Sequence, residues 1–573
     1  MQYSDKLSGY SRNKTRVVTI GNLPMGGDFP IRIQSMTNTN TLDTTATVEQ
    51  SILLADAGCE YVRITAPGMP EAENFLIIKK ELHKRGYNIP LIADVHFNPA
   101  VAEFLARHVE KVRINPGNYA DKKTFKKIEY SDAEYEEEIE RISKRFSPLV
   151  KICKEHGTAL RIGVNHGSLS DRIMSRFGDT PEGMVESAMD FIRICRDLDF
   201  HNIVLSMKSS NPLSMIHACR LLVSTMNEHG MNYPLHLGVT EAGEGSDGRI
   251  RSAMGIGALL EEGIGDTIRV SLTENPINEI SVAKIIAARY ANRKEKLSNI
   301  NFDNDINPFQ YSKRETISIG NIGESNVPIV IGEKENNNED CPFDYFSSNE
   351  KILTSEKINF IEVCNEDVTT EFIDKIKKDN QTVLIANASN ENTVAEIRQL
   401  FFKLMDYQCF TPVIIKRSYE NISLPEFIVN AVIDSGTLLL DGFGDGLWLN
   451  FNGAQDNKII SDVSFSILQA SRTRISQTEY ISCPTCGRTS FDIQPLLAII
   501  KEKTKHLKGL KIAVMGCVVN GPGEMADADY GLVGNTNGNI NLYQGKNIIQ
   551  KNISPEAAPD ALLQLIKESG NWK

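Results

Sequence analysis

The chain has 573 residues, more than one ordinary domain holds, so two or three domains are expected. Its 41% hydrophobic and 24% charged residues suit a globular protein, and no apolar run approaches the length of a membrane span. The net charge of −12 gives nucleic acid no electrostatic encouragement, so an anionic ligand would need a local basic pocket working against the overall sign. The polar N-terminus MQYSDKLSGYSRNKTR reads as neither a secretory signal nor a transit peptide, and most of the ten cysteines are scattered singly, which suits a reducing cytoplasm.

From residue 32, short β-rich runs that end in polar residues alternate with amphipathic segments. The runs are 32–38, 61–67, 91–97, 111–118, 160–165, 203–211, 235–243 and 267–273. Eight strand–helix units in succession predict a (β/α)8 (TIM) barrel, with a doubly wound open sheet as the structural rival. In such barrels the chemistry sits where the strands end. That rim reads Arg63, Asp94, His96, Arg113, Arg161, Asn165, Lys208, His236, Glu241, Arg269 and Ser271. Any one strand-end arginine is as readily a salt-bridge partner as a ligand. Five cations from five strands, pointed into one pocket, repel one another unless a polyanion binds, and arginine forks match phosphate or diphosphate oxygens. His83, His108, His156, His201 and His229 fall on helices or their ends and carry no assigned function. Residues 119–150, including DAEYEEEIERISKRF, predict a long solvated helix before the fifth strand.

Residues 293–320 are charged and Asn-rich and mark a linker, and GEKENNNED at 332–340 is a second polar break. Beyond them, β-like runs at 328–332, 359–363, 382–387, 412–416 and 436–442 alternate with helical segments at 391–405 and 425–434. This predicts a central α/β domain, a partial second barrel without a comparable cation set, acting as a structural spacer. From residue 471, a helix at 492–505, strands at 511–515 and 529–533 and a helix at 555–569 predict a compact α+β module. The division is therefore 1–292 (substrate-binding barrel), 293–470 (insert) and 471–573 (cluster domain).

The last domain holds Ser482-Cys483-Pro484-Thr485-Cys486-Gly487-Arg488 and Met515-Gly516-Cys517-Val518-Val519-Asn520-Gly521-Pro522-Gly523-Glu524. Together they read Cys-x2-Cys, thirty residues, Cys, six residues, Glu. Three thiolates with one close pair suit a soft metal centre. A [4Fe-4S] cluster takes four ligands, and Glu524 on its glycine-rich loop is the nearest candidate for the fourth. A Cys3His zinc site using His506 fits the same spacing, and Cys517 alone could be a buried thiol at a strand end.

SCPTCGR followed by MGCVVNGPGEMADADYG resembles the 4-hydroxy-3-methylbut-2-enyl diphosphate synthase family, iron–sulfur enzymes of the methylerythritol phosphate route to isoprenoids. The resemblance continues through residues 1–290, in EYVRIT, KVRINPGN, LRIGVN, SMKSSN, LHLGVTEAGEG and IRVSLT, and fails across the middle of the chain. It implies that Cys483, Cys486, Cys517 and Glu524 hold a [4Fe-4S] cluster, and that Arg63, Arg113, Arg161, Lys208, Arg269 and Ser271 hold a cyclic diphosphate. It also implies that Glu241 is an acid near the departing oxygen, with Asp94, His96 and Asn165 in the pocket. The activity implied is an oxidoreductase that reductively opens 2-C-methyl-D-erythritol 2,4-cyclodiphosphate, fed by ferredoxin or flavodoxin. The rival classes are a non-redox barrel enzyme on a phosphorylated small molecule with a zinc-stabilised C-terminal domain, and a redox-sensing cluster protein. The insert resembles that of the family's three-domain form. In the two-domain form the cluster of one subunit caps the barrel of its partner, so a homodimer is one arrangement. The alternative expected here is closure of the cluster over the barrel of its own chain, with hinges near 293–320 and 471–480.

Overall fold

A computed structural model describes residues 7–121, 129–295, 307–334, 341–355, 357–388, 392–453, 457–519, 521–525, 527–535 and 537–572. They make two compact units, one of Lys14–Ser252, Gly265–Ala291 and Gln477–Lys573, the other of Met1–Asn13, Ala253–Ile264 and Asn292–Ser476. Residues 296–306 of the expected linker, 335–340 of the polar break, 122–128 before the long helix, and Asn520 and Ala526 of the cysteine motif lie outside the described residues.

In the first unit, β1 (Arg32–Met36), β2 (Tyr61–Thr65), β3 (Leu91–Asp94), β4 (Lys111–Ile114), β5 (Ala159–Asn165), β6 (Ile203–Lys208), β7 (His236–Leu237) and β8 (Thr267–Ile268) form one parallel sheet. Its order is β6-β5-β4-β3-β2-β1-β8-β7, and a bridge between Leu205 and Leu235 brings β6 beside β7, closing the expected barrel. A strand covered by helices outside and side chains inside is buried on both faces, as all seven residues of β5 are. Several following helices begin alike: Asn98, Thr180 and Asn211 each accept a first-turn backbone N–H, and proline follows at the first helical position. The acidic stretch is a 25-residue helix, Asp132–His156, opened by a Ser131/Glu134 capping box and closed by Gly157 at φ 69°.

The barrel floor comes from a segment with no strand assigned to it in the sequence reading. Val18 and Met25 pair, and Val18, Ile20 and Met25 pack against Tyr61, Ile92, Ala159 and Val204. Apolar residues thus fill one end of the barrel and leave the inward polar residues to the other. The seventh and eighth strands are shorter than the runs 235–243 and 267–273 suggested. At Gly238 a Cβ would collide with the Arg269 carbonyl and the Lys208 ammonium, so the chain there is pressed against its neighbours. It then turns at Glu241, whose φ of 51° no regular strand allows.

The C-terminal module of the same unit has five strands: β16 (Glu479–Ser482), β17 (Lys511–Met515), β18 (Tyr530–Gly534), β19 (Ile540–Gln544) and β20 (Asn547–Ile553), in that order. The first three are parallel and the last two antiparallel. The helices Ile493–Thr504 and Ala558–Glu568 share a core with this sheet through Leu497, Ile500, Leu562 and Ile566.

The second unit carries β9 (Ile329–Glu333), β10 (Tyr345–Ser348), β11 (Lys351–Leu353), β12 (Asn359–Val363), β13 (Thr382–Ala386), β14 (Val413–Tyr419) and β15 (Gly446–Phe451). The order is β11-β10-β9-β15-β14-β13-β12, parallel apart from the β10–β11 pair. The run 436–442, expected as a strand, is helical instead: Leu424–Ala431 continues through a π-turn, Val432–Gly436, into Thr437–Leu440. Every residue from Val432 to Leu440 is buried, and a run buried on all sides has no periodicity to separate a buried helix from a buried strand.

Candidate active site

Side chains on a strand alternate, so one register choice points all the charged residues inward. Val62, Ile64, Val112, Ile114, Leu160 and Ile162 are buried on the outer face. Arg63, Arg113 and Arg161, the residues between them, line the cavity within. Register places Met36 beside Arg63, Asp94 beside Arg113, and Arg113 beside Arg161. The resulting cavity is walled by Arg63, Asp94, His96, Arg113, Arg161, Asn165, Lys208, Glu241, Arg269 and Ser271 from the barrel. Cys483, Cys486 and Cys517 wall it from the C-terminal module. Of the residues singled out from the sequence, Glu524 alone does not line it: it is 4% exposed and accepts a 2.7 Å hydrogen bond from Asn165.

The cations are held in three ways. Arg269 lies 3.0 and 3.1 Å from the buried Glu279 carboxylate; burial opposes its charge, but Glu279 outweighs burial and raises its pKa. Arg113 donates to Asp94 at 3.1 Å, to the Gly163 carbonyl at 3.1 Å, to Asn165 at 3.0 Å, and shares a short contact with His96. Arg161 and Lys208 pair with no carboxylate among the described residues, and Nε and Nη1 of Arg161 are buried without a partner. Burial first, and then the neighbouring arginines, push both far below their ordinary pKa values. Arg63 is lowered to about 9 by burial, with Asp94 opposing. His96 falls to about 3 through burial, Arg488 and Arg113, so its imidazole is neutral. A buried group of cations short of counter-charge is the electrostatic description of an anion site.

Glu241 is the one carboxyl of the mouth outside these networks. Burial raises it to about 7, against a hydrogen bond from Thr240 and the pull of Arg269, and its Oε2 is buried with no partner. Its left-handed backbone is a strained position that aims the carboxyl into the cavity.

The cysteines converge because β16 and β17 are parallel neighbours. Ser482 is level with Val514, so the turns after the two strands, with Cys483 on one and Cys517 on the other, leave the sheet side by side. Thr485 takes φ 57°, rare for a β-branched residue, and receives a hydrogen bond from Asn38 of the barrel at 3.1 Å. The module sits on its own chain's barrel mouth through several such contacts. Arg488 donates to Asp94 at 2.6 Å, and Thr273 and Ser482 share a 2.7 Å hydrogen bond. Arg251 donates to the Tyr480 carbonyl at 2.8 Å, and Ala242 pairs with Ser482. Gly167 and Gly523 meet backbone to backbone, where a Cβ on either would strike the other's carbonyl. The expected closure over the barrel of the same chain is the arrangement seen.

The donor set fits an iron–sulfur cluster. Three half-buried thiols face one cavity across the turns, flanked by Gly516 and Gly521, where bare backbone can approach sulfide. Zinc would draw four ligands to one point. His506, the fourth ligand of the Cys3His alternative, packs against Trp572 at a ring distance of 5.2 Å, before β17 begins, while Cys517 follows that strand's other end. Five strand residues, roughly 17 Å, separate the two. The zinc alternative does not survive this geometry.

Sequence reasoning missed Met36, whose sulfur lies 2.8 and 3.0 Å from the Arg63 guanidinium, and it quoted Arg488 without giving it a role. Nothing in a strand-end reading singles out a methionine, but an arginine two residues past Cys486 could have been found as a counter-charge for the thiolates. The run Gly243-Glu244-Gly245-Ser246-Asp247-Gly248 has the spacing of a dinucleotide-binding turn, yet the N–H of Gly245 is already taken by the Glu274 carboxylate at 2.8 Å.

The GcpE TIM-barrel domain family matches residues 15–284 and the GcpE protein C-terminal domain family matches residues 479–568. Among full-length relatives, a 4-hydroxy-3-methylbut-2-en-1-yl diphosphate synthase (flavodoxin) of Parabacteroides distasonis is 48% identical, over 98% of this chain and 99% of that one. Proteins of the same name are 45% identical in Porphyromonas gingivalis, over 99% of both chains, and 41% identical in Leptospira interrogans, over 100% of this chain and 99% of that one. With a barrel, a three-cysteine module and full-length relatives in agreement, the chain belongs to the GcpE family.

Proposed function

We propose that the chain reduces 2-C-methyl-D-erythritol 2,4-cyclodiphosphate to (E)-4-hydroxy-3-methylbut-2-enyl diphosphate, with flavodoxin, named for its relatives, or ferredoxin as the electron donor. The observation that carries this reading is one cavity with a cation floor and a thiol roof. A phosphate-binding enzyme has no use for the roof, and a redox sensor has no use for the floor. The reaction takes two electrons and one proton, breaks the ring bond between carbon and a phosphate oxygen, which leaves as an anion, and releases a hydroxyl as water. When bound by Cys483, Cys486 and Cys517, with Glu524 as a displaceable fourth ligand, a [4Fe-4S] cluster supplies one-electron reduction and a Lewis-acidic iron.

The chain's own residues do the rest. Arg63, Arg113, Arg161, Lys208, Arg269 and Ser271 bind the diphosphate, and their charge stabilises the phosphate oxygen as it leaves carbon. Asp94 braces Arg113 from one side and Arg488 from the other, tying the substrate floor to the cysteine loop. His96, neutral, caps Arg113, and Asn165 donates a hydrogen bond to Glu524. Glu241 carries its proton near neutral pH and gives it to the departing oxygen. The test is anaerobic turnover of the cyclodiphosphate by iron-loaded protein with reduced flavodoxin, followed by phosphorus NMR. Linear diphosphate is the expected product. A brown protein that leaves the cyclodiphosphate intact overturns the reading, and a colourless, zinc-containing one overturns the cofactor as well.

A further inference from the structure

Below the arginines that the proposed reaction uses, the barrel holds a second polar layer that it leaves unused. His236 on β7 is fully buried, lines the cavity, and has no hydrogen-bond partner at either ring nitrogen. Its neighbour across the sheet, Thr267 on β8, has an unpartnered hydroxyl, as does Ser206 on β6. Buried polar atoms are rarely left unmet, and an imidazole with two empty nitrogens facing a cavity points to a ligand there.

The charges facing His236 are Lys208 from β6, Arg161 from β5, Lys111 from β4 and Arg63 from β2. Lys111 is itself fully buried, stacked 4.8 Å above the Tyr61 ring and 3.5 Å from the Gln34 carbonyl oxygen. From β8 the neighbours are the uncharged Thr267 and, further up, Arg269, already neutralised by Glu279. Four cations and no carboxylate dominate the surroundings of this imidazole.

We propose that His236 is a proton acceptor linked to substrate binding: neutral in the free enzyme, it takes up one proton as the diphosphate arrives and donates it as a hydrogen bond to a phosphate oxygen. The inference rests on the cyclodiphosphate reading given above. Burial, and after it the four cations in the order named, depress the imidazole pKa in the empty pocket. A dianion seated among those cations offsets part of their field on the ring, which favours imidazolium. The substrate cannot be the acceptor, because each of its phosphorus atoms carries one strongly acidic hydroxyl that is ionised at neutral pH. The charge also has a use later. When the ring opens, one phosphate becomes terminal and gains a negative charge, and an imidazolium already in place offsets it.

The test is titration calorimetry of the cluster-loaded protein with the cyclodiphosphate, near neutral pH, in buffers of different ionisation enthalpy. Wild type is expected to take up about one proton per substrate bound, with affinity falling up to tenfold per pH unit as pH rises through the affected range. His236→Gln and His236→Asn, checked for unchanged cluster absorbance, are expected to bind more weakly with uptake near zero. Binding with the same heat in every buffer overturns the proposal alone. Uptake undiminished in both variants overturns it too and places the proton acceptor elsewhere. No binding heat at all overturns the substrate reading and this proposal together.

Discussion

On β5 and β6 the barrel carries Arg161, buried, and Lys208, half-buried, and neither is paired with a carboxylate among the described residues. On β14 the second unit's sheet also carries a buried cation, Lys416, but this one lies 2.8 Å from Glu362 on β12 and 4.5 Å above the Trp448 ring on β15. The next residue, Arg417, is matched with Asp434 at 3.3 Å. Both sheets are parallel with strand-end charge, and architecture alone would give each a site. The difference lies in the bookkeeping of charge. The insert matches Lys416 and Arg417 with carboxylates of its own, while the barrel leaves Arg161 and Lys208 to be neutralised by something that comes from outside.

The largest effect breaks the roof above the barrel's cations. Cys483→Ser, Cys486→Ser and Cys517→Ser each replace a soft thiolate by a hard hydroxyl, so iron content should fall to a small fraction and turnover should vanish. Wild-type iron by elemental analysis in all three would remove the thiols from the cofactor site. Next comes Glu241→Gln, which keeps the shape and loses the acid. Rate should drop by about 10²-fold or more, within the range for general acid catalysis, with substrate affinity preserved. An unchanged kcat would take Glu241 out of the chemistry.

The comparison itself is sharpened by removing one cation from each sheet. Lys208→Ala should weaken substrate binding by roughly 10–100-fold, the worth of about 1.5–3 kcal/mol for a charged hydrogen bond, without altering the cluster spectrum. Lys416→Ala should leave substrate affinity and kcat at wild-type values. If the two variants lost affinity equally, the charge distinction between the sheets would have no functional meaning. The smallest expected effect is none. A Cys517→Ser chain mixed with an Arg113→Ala chain should recover no activity, because each module closes on the barrel of its own chain. Restored turnover in the mixture would show exchange between chains.

The sequence by itself determined the strand–helix alternation and the inward register of Arg63, Arg113 and Arg161, because a period of two with apolar neighbours leaves one face for the charges. It also marked Cys483, Cys486 and Cys517, since their spacing follows from turns at the ends of adjacent strands. Local pattern failed in one uniformly buried stretch and at two shortened strands. The run 436–442 gave no hint that it continues a helix, since Gly436 to Leu440 are buried on every side, and the two-residue β7 and β8 end early because Gly238 and Glu241 answer to close approach and backbone strain. Only the tertiary structure decided which barrel the cysteines cap, since that depends on Gly167 meeting Gly523, hundreds of residues apart in the chain, with no room for a side chain. It alone also showed which charges are paired. Arg269 and Arg161 look alike on their strands, and what separates them is that Glu279, on a helix ten residues past one of them, reaches back to it while no carboxylate reaches the other.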